Sequence, residues 1–301
     1  MATLARPAPP AATARRRSLA WLYRHRAVQL LVLLLPPVGW FGVVYIGSLV
    51  VLFISAFWYL DPLTSAIKQD FTLRNFQQLV SDPVYRAVAG RTILIAFVVT
   101  VTDALLAFPI AYYMARYASR RLKGVMFMLV LLPLWTSYLV RVYAWRVILA
   151  LGGPLDWTFQ QFGIQGVVLY PSDIAMWLVF SYIWLPYMIL PIFAGLERIP
   201  GSLLEASADL GARGAMTFRR VILPLALPAV VAGSIFTFSL TLGDYITPVL
   251  VSNSQFIGNV VYNSQGVSGN VPFAAAFATV PVVVMAIYLL VARRLGAFDA
   301  L

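Results

Sequence analysis

The chain has 301 residues, of which 61% are hydrophobic and 11% are charged. Soluble domains are closer to half apolar, so this composition indicates a membrane protein with several spans. The net charge is +11. We expect the excess arginines to anchor loops at a membrane surface, so this charge does not indicate nucleic-acid binding. There is no cysteine and one histidine, His25, which excludes disulfides and thiol catalysis and argues against a His-based metal or acid–base centre.

Residues 1–26 are rich in Pro and Ala and then strongly basic, and we predict that they form a disordered cytoplasmic tail. A basic start is also typical of a secretory signal peptide. The apolar stretch that follows is too long for one, and no small-residue cleavage site interrupts it. We therefore interpret this stretch as an uncleaved first span.

Six apolar stretches have the roughly 20 residues that a transmembrane helix needs. They cover Val28–Trp58, Thr92–Met114, Val125–Leu149, Ile174–Leu196, Leu223–Leu242 and Phe273–Val291. The first is overlong and contains Pro36 and Pro37, which predict a kink or an interfacial segment. The sequence therefore predicts an all-α, polytopic membrane protein with six transmembrane helices in a single domain over residues 27–301.

The positions of the basic residues predict how these spans cross the membrane. Most of the 22 basic residues fall in the tail, in the second-to-third and fourth-to-fifth loops, and at the C-terminus. Lys and Arg are enriched in cytoplasmic loops, so both termini and the loop between the fourth and fifth spans are predicted to be cytoplasmic. The long loops over residues 60–91, 151–173 and 243–271 then lie on the opposite side.

The loop between the fourth and fifth spans is polar and has clear helix signals. Ser202 and Glu205 have the spacing of a capping box, and Gly211 is suited to end a short helix in the left-handed conformation. Residues 212–220 are then predicted to form a second short helix, and Pro224 is predicted to start the fifth span. Two interpretations remain open: a surface for a separate protein, or an interfacial hairpin that only links two spans.

An ATP-binding P-loop needs a glycine directly before its lysine. The two lysines of this chain, Lys68 and Lys123, follow isoleucine and leucine instead. The chain therefore cannot bind ATP through that motif. If ATP drives this protein, another subunit must bind and hydrolyse the nucleotide.

The polar loop resembles the EAA loop of binding-protein-dependent ABC importer permeases, whose pattern is E-A-A-x3-G-x9-I-x-L-P. Matches at the right spacing are Glu205, Ala206, Gly211, Leu223 and Pro224, while Ser207 replaces the second alanine and Val221 the isoleucine. The resemblance implies a coupling loop over residues 199–224 that docks in a groove on an ATPase subunit. The residues it assigns to ATPase coupling are Glu205, Ala206, Ser207, Asp209, Gly211, Arg213, Leu223 and Pro224.

Four further segments resemble spermidine/putrescine-type permeases: Pro133–Arg146, Gly243–Pro248, Phe71–Phe76 and Pro272–Ala276. The resemblance implies the type I ABC importer permease fold in a bacterial inner membrane, in contact with lipids and not with nucleic acid. It also implies three protein partners: a second related permease, a dimer of ATP-binding subunits and an extracytoplasmic solute-binding protein. ATP and Mg are expected in the ATPase, and no cofactor or metal in this chain.

The candidate substrate path consists of Trp135, Tyr138, Tyr143, Asp244, Tyr245 and Asp103. An unpaired carboxylate is costly within a span, so Asp103 binds a cation or hydrogen-bonds a neighbouring helix, and we favour the hydrogen bond. Asp244 beside Tyr245 suits a polyamine through charge pairing and cation–π contact, and loop packing explains the pair equally well. The other three aromatics suit a cation path or, slightly better, an aromatic belt at the outer interface.

Two arginines and three loop residues complete the expectations for the outer side. Arg141 and Arg146 argue mildly against a purely cationic path and are expected to pair with Asp156, Asp173 or an acidic residue of the binding protein. The surface on which that protein docks is expected to include Asn75, Phe76 and Tyr85.

The leading hypothesis is a non-catalytic permease subunit that imports polyamines, or a related small amine or amino-acid-like solute. It would work by alternating access, coupled to a separate ATPase through the segment from Glu205 to Pro224. The alternative is a stand-alone secondary transporter or channel, for which Asp103 is the only acid deep in a span. An intramembrane enzyme is disfavoured because the chain has no Cys and no suitably placed His.

Overall fold

The computed structural model describes residues 26–164 and 168–294, and these divide into two compact units at residue 54. The tail predicted over residues 1–26 lies outside the described residues, apart from Arg26, with which the first helix begins. The first unit contains α1 (Arg26–Trp40), a π turn (Phe41–Ile46) and most of α2 (Gly47–Ser55), which run as one apolar helical stretch. The π turn follows the two prolines of α1, and the kink or interfacial segment predicted from them stays a prediction.

The second unit is helical apart from one small antiparallel pair, β1 (Tyr59–Leu60) with β2 (Ile67–Lys68). Its helices are α3 (Arg74–Ser81), α4 (Pro83–Arg116), α5 (Arg120–Trp135), α6 (Tyr138–Leu149), α7 (Pro154–Gln161), α8 (Asp173–Glu197), α9 (Gly201–Asp209), α10 (Gly214–Thr217), α11 (Leu223–Gly243), α12 (Ile246–Val251), α13 (Ile257–Gly266) and α14 (Val271–Arg294). The predicted all-α class is confirmed.

Five helical stretches are long and apolar enough to cross a membrane, and a bent pair of helices raises the number to six. The second, fourth, fifth and sixth predicted spans fall within α4, α8, α11 and α14. Residues 214–243 form one continuous helical stretch, so the fifth span begins earlier in the chain than its apolar residues predict.

The third predicted span, Val125–Leu149, is not one straight helix. The chain bends by 95° between α5 and the stretch Tyr138–Gln161, and Thr136 between them has an extended backbone conformation. Pro133 has no backbone N–H to donate within the helix. The Thr136 hydroxyl donates to the Pro133 carbonyl at 2.7 Å and offers the backbone a local alternative to the helix. The break is therefore encoded within a few residues, although overall hydropathy does not show it.

The core of the second unit is α8, which packs between α4 and α11. The helices α8 and α11 are antiparallel, and glycines at their contact allow them to approach closely. A Cβ atom on Gly195 would lie 2.3 Å from the Ala229 Cβ, and one on Gly233 would lie 2.8 Å from the Met188 Sδ. Small residues are typical of helix contacts in membranes, where close packing replaces the hydrophobic driving force.

One of the three residues expected to dock a soluble protein is held inside this unit. The Asn75 side chain is buried and donates to the carbonyls of Ala56 at 2.9 Å and Trp58 at 2.7 Å. The expectation for Asn75 is therefore wrong, because its side chain bonds within the fold. Tyr85 is half-buried and packs against the rings of Phe273 and Phe277, at centroid distances of 4.9 and 5.7 Å, and its docking role stays a prediction.

We predict that Gly195→Ala lowers the unfolding temperature of the detergent-solubilised protein, because the new methyl group overpacks the contact between α8 and α11. Overpacking of this kind costs about 1–3 kcal/mol. The matched control is Gly90→Ala, since the space beside Gly90 in α4 is open. A second change, Ala229→Gly, is expected to restore the stability of Gly195→Ala, and a failure to do so would contradict the assigned contact.

Candidate functional site

Two features of the second unit lie at opposite ends of the antiparallel pair α8 and α11. The coupling loop, over residues 199–224, joins α8 to the first turn of α11. We call the cavity beside the other end of α11 the cleft, and its lining is Tyr138, Trp184, Ser239, Leu240, Gly243, Asp244 and Tyr245. The cleft has a volume of about 330 Å³.

The first helix of the coupling loop, α9, starts earlier than its capping-box pattern predicts. Pro200 is the N-cap, and its carbonyl accepts a hydrogen bond from the Leu203 N–H at 3.2 Å. Ser202 is then already inside the helix and makes no cap with Glu205. The predicted capping box is therefore wrong, because the fixed conformation of the proline begins the helix two residues sooner.

The end of α9 agrees with the sequence. Gly211 has a φ of +76°, as predicted, and follows the last helical turn. Its N–H donates to the Ala208 carbonyl at 2.8 Å, and the Ala212 N–H donates to the Ser207 carbonyl at 3.1 Å. These two bonds form a Schellman motif, which satisfies carbonyls that the helix leaves free.

The second half of the coupling loop is continuous with the fifth span. α10 passes through a π turn, Phe218–Ile222, directly into α11, so the separate helix predicted over residues 212–220 is wrong. Pro224 lies in the first turn of α11 and not at its boundary with a loop. The π turn precedes the proline, whose missing N–H already prevents a regular helical bond at that point.

A groove of about 350 Å³ separates α9 from α10 and the π turn. Its lining is Leu203, Ala206, Ser207, Leu210, Ala212, Met216, Arg220 and Val221. The hydroxyls of Ser207 and Thr217 lie 2.9 Å apart and tie the two walls together. Leu210 is 88% exposed, which leaves a large apolar side chain at the rim.

The coupling-loop residues selected from the sequence divide between this groove and the open surface. Ala206 and Ser207 line the groove. Those that are exposed outside it are Glu205, Asp209, Gly211, Arg213, Leu223 and Pro224. Glu205 and Asp209 are four residues apart, so they share one face of α9, while Leu203, Ala206 and Leu210 share the face toward the groove.

The coupling loop is attached firmly to the bundle through residues that the sequence did not reveal. Arg116, at the end of α4, donates from Nη2 to the carbonyls of Leu196 at 2.8 Å and Ile199 at 3.0 Å. The Lys123 Nζ lies 2.7 Å from the Glu197 carboxylate. These contacts neutralise the end of α8, where free carbonyls concentrate negative charge.

Aromatic packing adds to this attachment. The Phe218 ring of the π turn meets the rings of Phe108 and Tyr112 edge-on, each at a centroid distance of 5.7 Å. Leu204 of α9 packs against the same apolar cluster of the bundle. A displacement of the coupling loop is therefore transmitted to α4, α8 and α11 through packed side chains.

The cleft brings three of the six predicted path residues together: Tyr138, Asp244 and Tyr245. It adds Trp184, whose ring stacks on the Tyr138 ring at a centroid distance of 5.9 Å. Trp184 was missed because it lies inside a uniformly apolar span, where no local pattern distinguishes it from core residues. A carboxylate beside aromatic faces is an arrangement that attracts organic cations.

The other three path residues lie elsewhere. Trp135 is 83% exposed and Tyr143 is 49% exposed, and neither lines the cleft. Asp103 is fully buried in α4, and its neighbour for a hydrogen bond is the Ser181 hydroxyl of α8. The interhelical hydrogen bond that we favoured for Asp103 stays a prediction, with Ser181 as its partner.

The two arginines of α6 contact aromatic rings. The Arg141 guanidinium lies 6.0 Å from the Tyr138 ring, and that of Arg146 lies 5.5 Å from the Tyr170 ring. Among the described ion pairs, Asp173 faces Arg91 at 3.8 Å. The expected pairing of the two α6 arginines with Asp156 or Asp173 is therefore wrong.

A multi-span helical bundle with an exposed coupling loop and a cleft at its other end defines a membrane transport subunit. A family model described as the inner membrane component of binding-protein-dependent transport systems matches residues 107–298, and the chain belongs to this family. It is a multi-pass protein of the bacterial inner membrane and a non-catalytic permease subunit of an ABC importer.

Two relatives and one solved structure are similar to this chain. The chain is 48% identical to the inner membrane ABC transporter permease protein YdcU of Escherichia coli K12, over 93% of this chain and 94% of the relative. It is 30% identical to the spermidine/putrescine transport system permease protein PotB of the same strain, over 76% and 84%. A bacterial alginate ABC transporter has a similar fold, with a TM-score of 0.74 at 16% identity over 94% and 98%.

We predict that Gly211→Ala weakens the end of α9, because the left-handed conformation costs about 1–2 kcal/mol for a residue with a Cβ. The matched control is Gly214→Ala, since Gly214 has open space around it and no positive φ. Limited proteolysis of the purified protein is expected to cut the coupling loop faster in Gly211→Ala alone. Equal cutting rates in the two variants would contradict this assignment.

Proposed function

We propose that this permease imports polyamines or a related small amine, driven by a separate ATPase that holds the coupling loop. The observation that carries the proposal is the cleft, where one carboxylate is surrounded by the rings of Tyr138, Trp184 and Tyr245. The PotB relative supports it, because its name assigns that permease to spermidine/putrescine transport.

The coupling loop has the properties of a surface for another protein. It exposes an apolar groove next to a face that carries the carboxylates of Glu205 and Asp209. We assign the ATPase contact to the eight residues selected from the sequence: Glu205, Ala206, Ser207, Asp209, Gly211, Arg213, Leu223 and Pro224. ATP and Mg belong to the ATPase in this assignment, and the permease binds neither.

The remaining partners follow from the same arrangement. This chain supplies one coupling loop, whereas a dimer of ATP-binding subunits offers two grooves, so a second related permease completes the assembly. Most basic residues fall on the side of the coupling loop, which supports a cytoplasmic location of that loop and both termini. The cleft then opens toward the side where a solute-binding protein delivers its cargo.

A stand-alone secondary transporter or channel is not favoured. Such a protein needs a set of ion-coupling groups within its spans, and Asp103 is the one buried acid in the spanning helices that the structure describes.

We predict that Glu205→Lys abolishes ATP-driven uptake by the assembled importer and the retention of the ATPase during purification. The reason is that a lysine reverses the charge on the exposed face of α9. We expect the affinity for the ATPase to fall at least about tenfold, which corresponds to about 1.4 kcal/mol.

The control for Glu205→Lys is Asp70→Lys, an equal charge change at an exposed position outside the coupling loop. The solute-binding protein should bind cargo normally in both cases, because it is a separate chain. Unchanged uptake and ATPase retention in Glu205→Lys would contradict the coupling role.

We predict that Tyr245→Leu lowers the affinity for spermidine or putrescine during uptake by about two- to thirtyfold, because a cation–π contact contributes about 0.5–2 kcal/mol. Tyr143→Leu is the matched control, since Tyr143 is similarly exposed but lies outside the cleft. Equal effects of the two substitutions would argue against the cleft as the cargo site.

A further inference from the structure

All the hydrogen-bonding positions of the Asp244 carboxylate are occupied within the chain. Oδ1 accepts from the backbone N–H groups of Ile246 at 2.8 Å and Thr247 at 3.3 Å. Oδ2 accepts from the Thr247 hydroxyl at 2.9 Å and from the Tyr138 hydroxyl. An ionised carboxylate offers about four acceptor positions, so no position remains free for a ligand.

These bonds connect two breaks in the helical structure. Tyr138 is the first residue of α6, immediately after the bend that interrupts the third span. Asp244 lies between the end of α11 and the start of α12, and Thr247 belongs to α12. The Tyr138 hydroxyl is the only one of the four donors that comes from the other break, so it is the donor that ties α6 to the Asp244 carboxylate.

The turn that carries Asp244 is held in place from its other side. A Cβ atom on Gly258 of α13 would lie 2.8 Å from the Asp244 carbonyl oxygen, and the Asn259 side chain donates to the Tyr245 carbonyl at 3.2 Å. Asp244 therefore stays in position when Tyr138 leaves. The bond from Tyr138 is the one that can open without unfolding the turn.

A cationic amine that enters the cleft must replace one of these donors to reach Asp244. The two backbone donors belong to the tight turn, and the Thr247 hydroxyl belongs to the adjacent helix, so Tyr138 is the donor that can be exchanged. A charged donor forms a stronger bond to a carboxylate than a neutral phenol does. The displaced phenol has a second acceptor nearby, since the Thr247 hydroxyl lies 2.6 Å from it.

We infer that Tyr138 and the ammonium group of the cargo compete for Asp244, and that this exchange shifts α6 relative to α12, while the apolar packing of Val142 against the cluster of Val251 stays. Cargo recognition and this shift of α6 are then one event, which rests on the proposed function of the cleft. Tyr138 is a positioning residue that sets the affinity for cargo. The exchange requires an N–H donor, so primary amines open the contact, whereas quaternary ammonium compounds of equal charge do not.

The first test is Tyr138→Phe in the complete importer with its binding protein, since phenylalanine keeps the ring that stacks on Trp184 and removes only the hydroxyl. We expect cargo-independent ATP hydrolysis to rise, and the half-maximal cargo concentration for stimulation to fall by about two- to tenfold, the range set by one hydrogen bond. The matched control is Tyr143→Phe, outside the cleft. A Tyr138→Phe assembly that loses uptake and keeps low basal hydrolysis overturns the competition, because a purely structural role gives that result.

The second test measures the separation of α6 from α12 directly. The chain has no cysteine, so spin labels can be attached to Val147→Cys in α6 and Val249→Cys in α12, at positions that are 62% and 60% exposed. Putrescine supplied with the binding protein should lengthen the distance between the labels, and its fully N-methylated analogue should not. An unchanged distance with putrescine, or an equal change with both compounds, overturns the exchange.

The two tests also separate this inference from the proposed function. Stimulation of ATP hydrolysis by amines without any effect of Tyr138→Phe overturns only the competition at Asp244. The absence of stimulation by any amine overturns both, because the cleft then takes a different class of cargo.

Discussion

The close contact between α8 and α11 is the constraint on which the rest of the structure depends. Gly195 meets Ala229 and Gly233 meets Met188 at distances that leave no room for a Cβ atom on either glycine. Within a membrane, such packing must hold the helices together without help from the hydrophobic effect. Because α8 and α11 form consecutive spans, joined by the coupling loop, the loop and the contact between the two helices are parts of one hairpin.

In the proposed function, this hairpin connects the coupling loop to the cleft. At one end, Arg116, Lys123 and Phe218 fix the coupling loop to the bundle. At the other end, α11 leads directly into the turn of Asp244, while α8 contributes Trp184 to the cleft. A displacement that an ATPase imposes on the loop is therefore expected to reach the cleft as movement of the whole hairpin, since packed interiors transmit strain. Tyr138, at the start of α6, lines the cleft from outside the hairpin.

The sequence predicted those parts of the structure that are determined by short segments of the chain. Four spans follow from apolar length, and the end of α9 follows from Gly211, because backbone conformation there depends on one residue. The break at Thr136 was missed because hydropathy is averaged over a whole span and does not reveal a single local hydrogen bond. The cleft was only partly predicted, since Tyr138 and Asp244 are 106 residues apart and Trp184 resembles any core residue of an apolar helix. The role of Arg116 was missed for the same reason, as its acceptors lie 80 or more residues away.

The most direct test of this account is whether the hairpin moves as one body during the transport cycle. Spin labels on Ile174→Cys, near the start of α8, and Ala215→Cys, in α10, report on its two ends, and both positions are exposed. The measurement is the distance between the labels in the assembled importer, without nucleotide and with ATP bound. The account predicts the same distance in both states. A clear change in this distance between the two states, in an importer that still transports cargo, would contradict it.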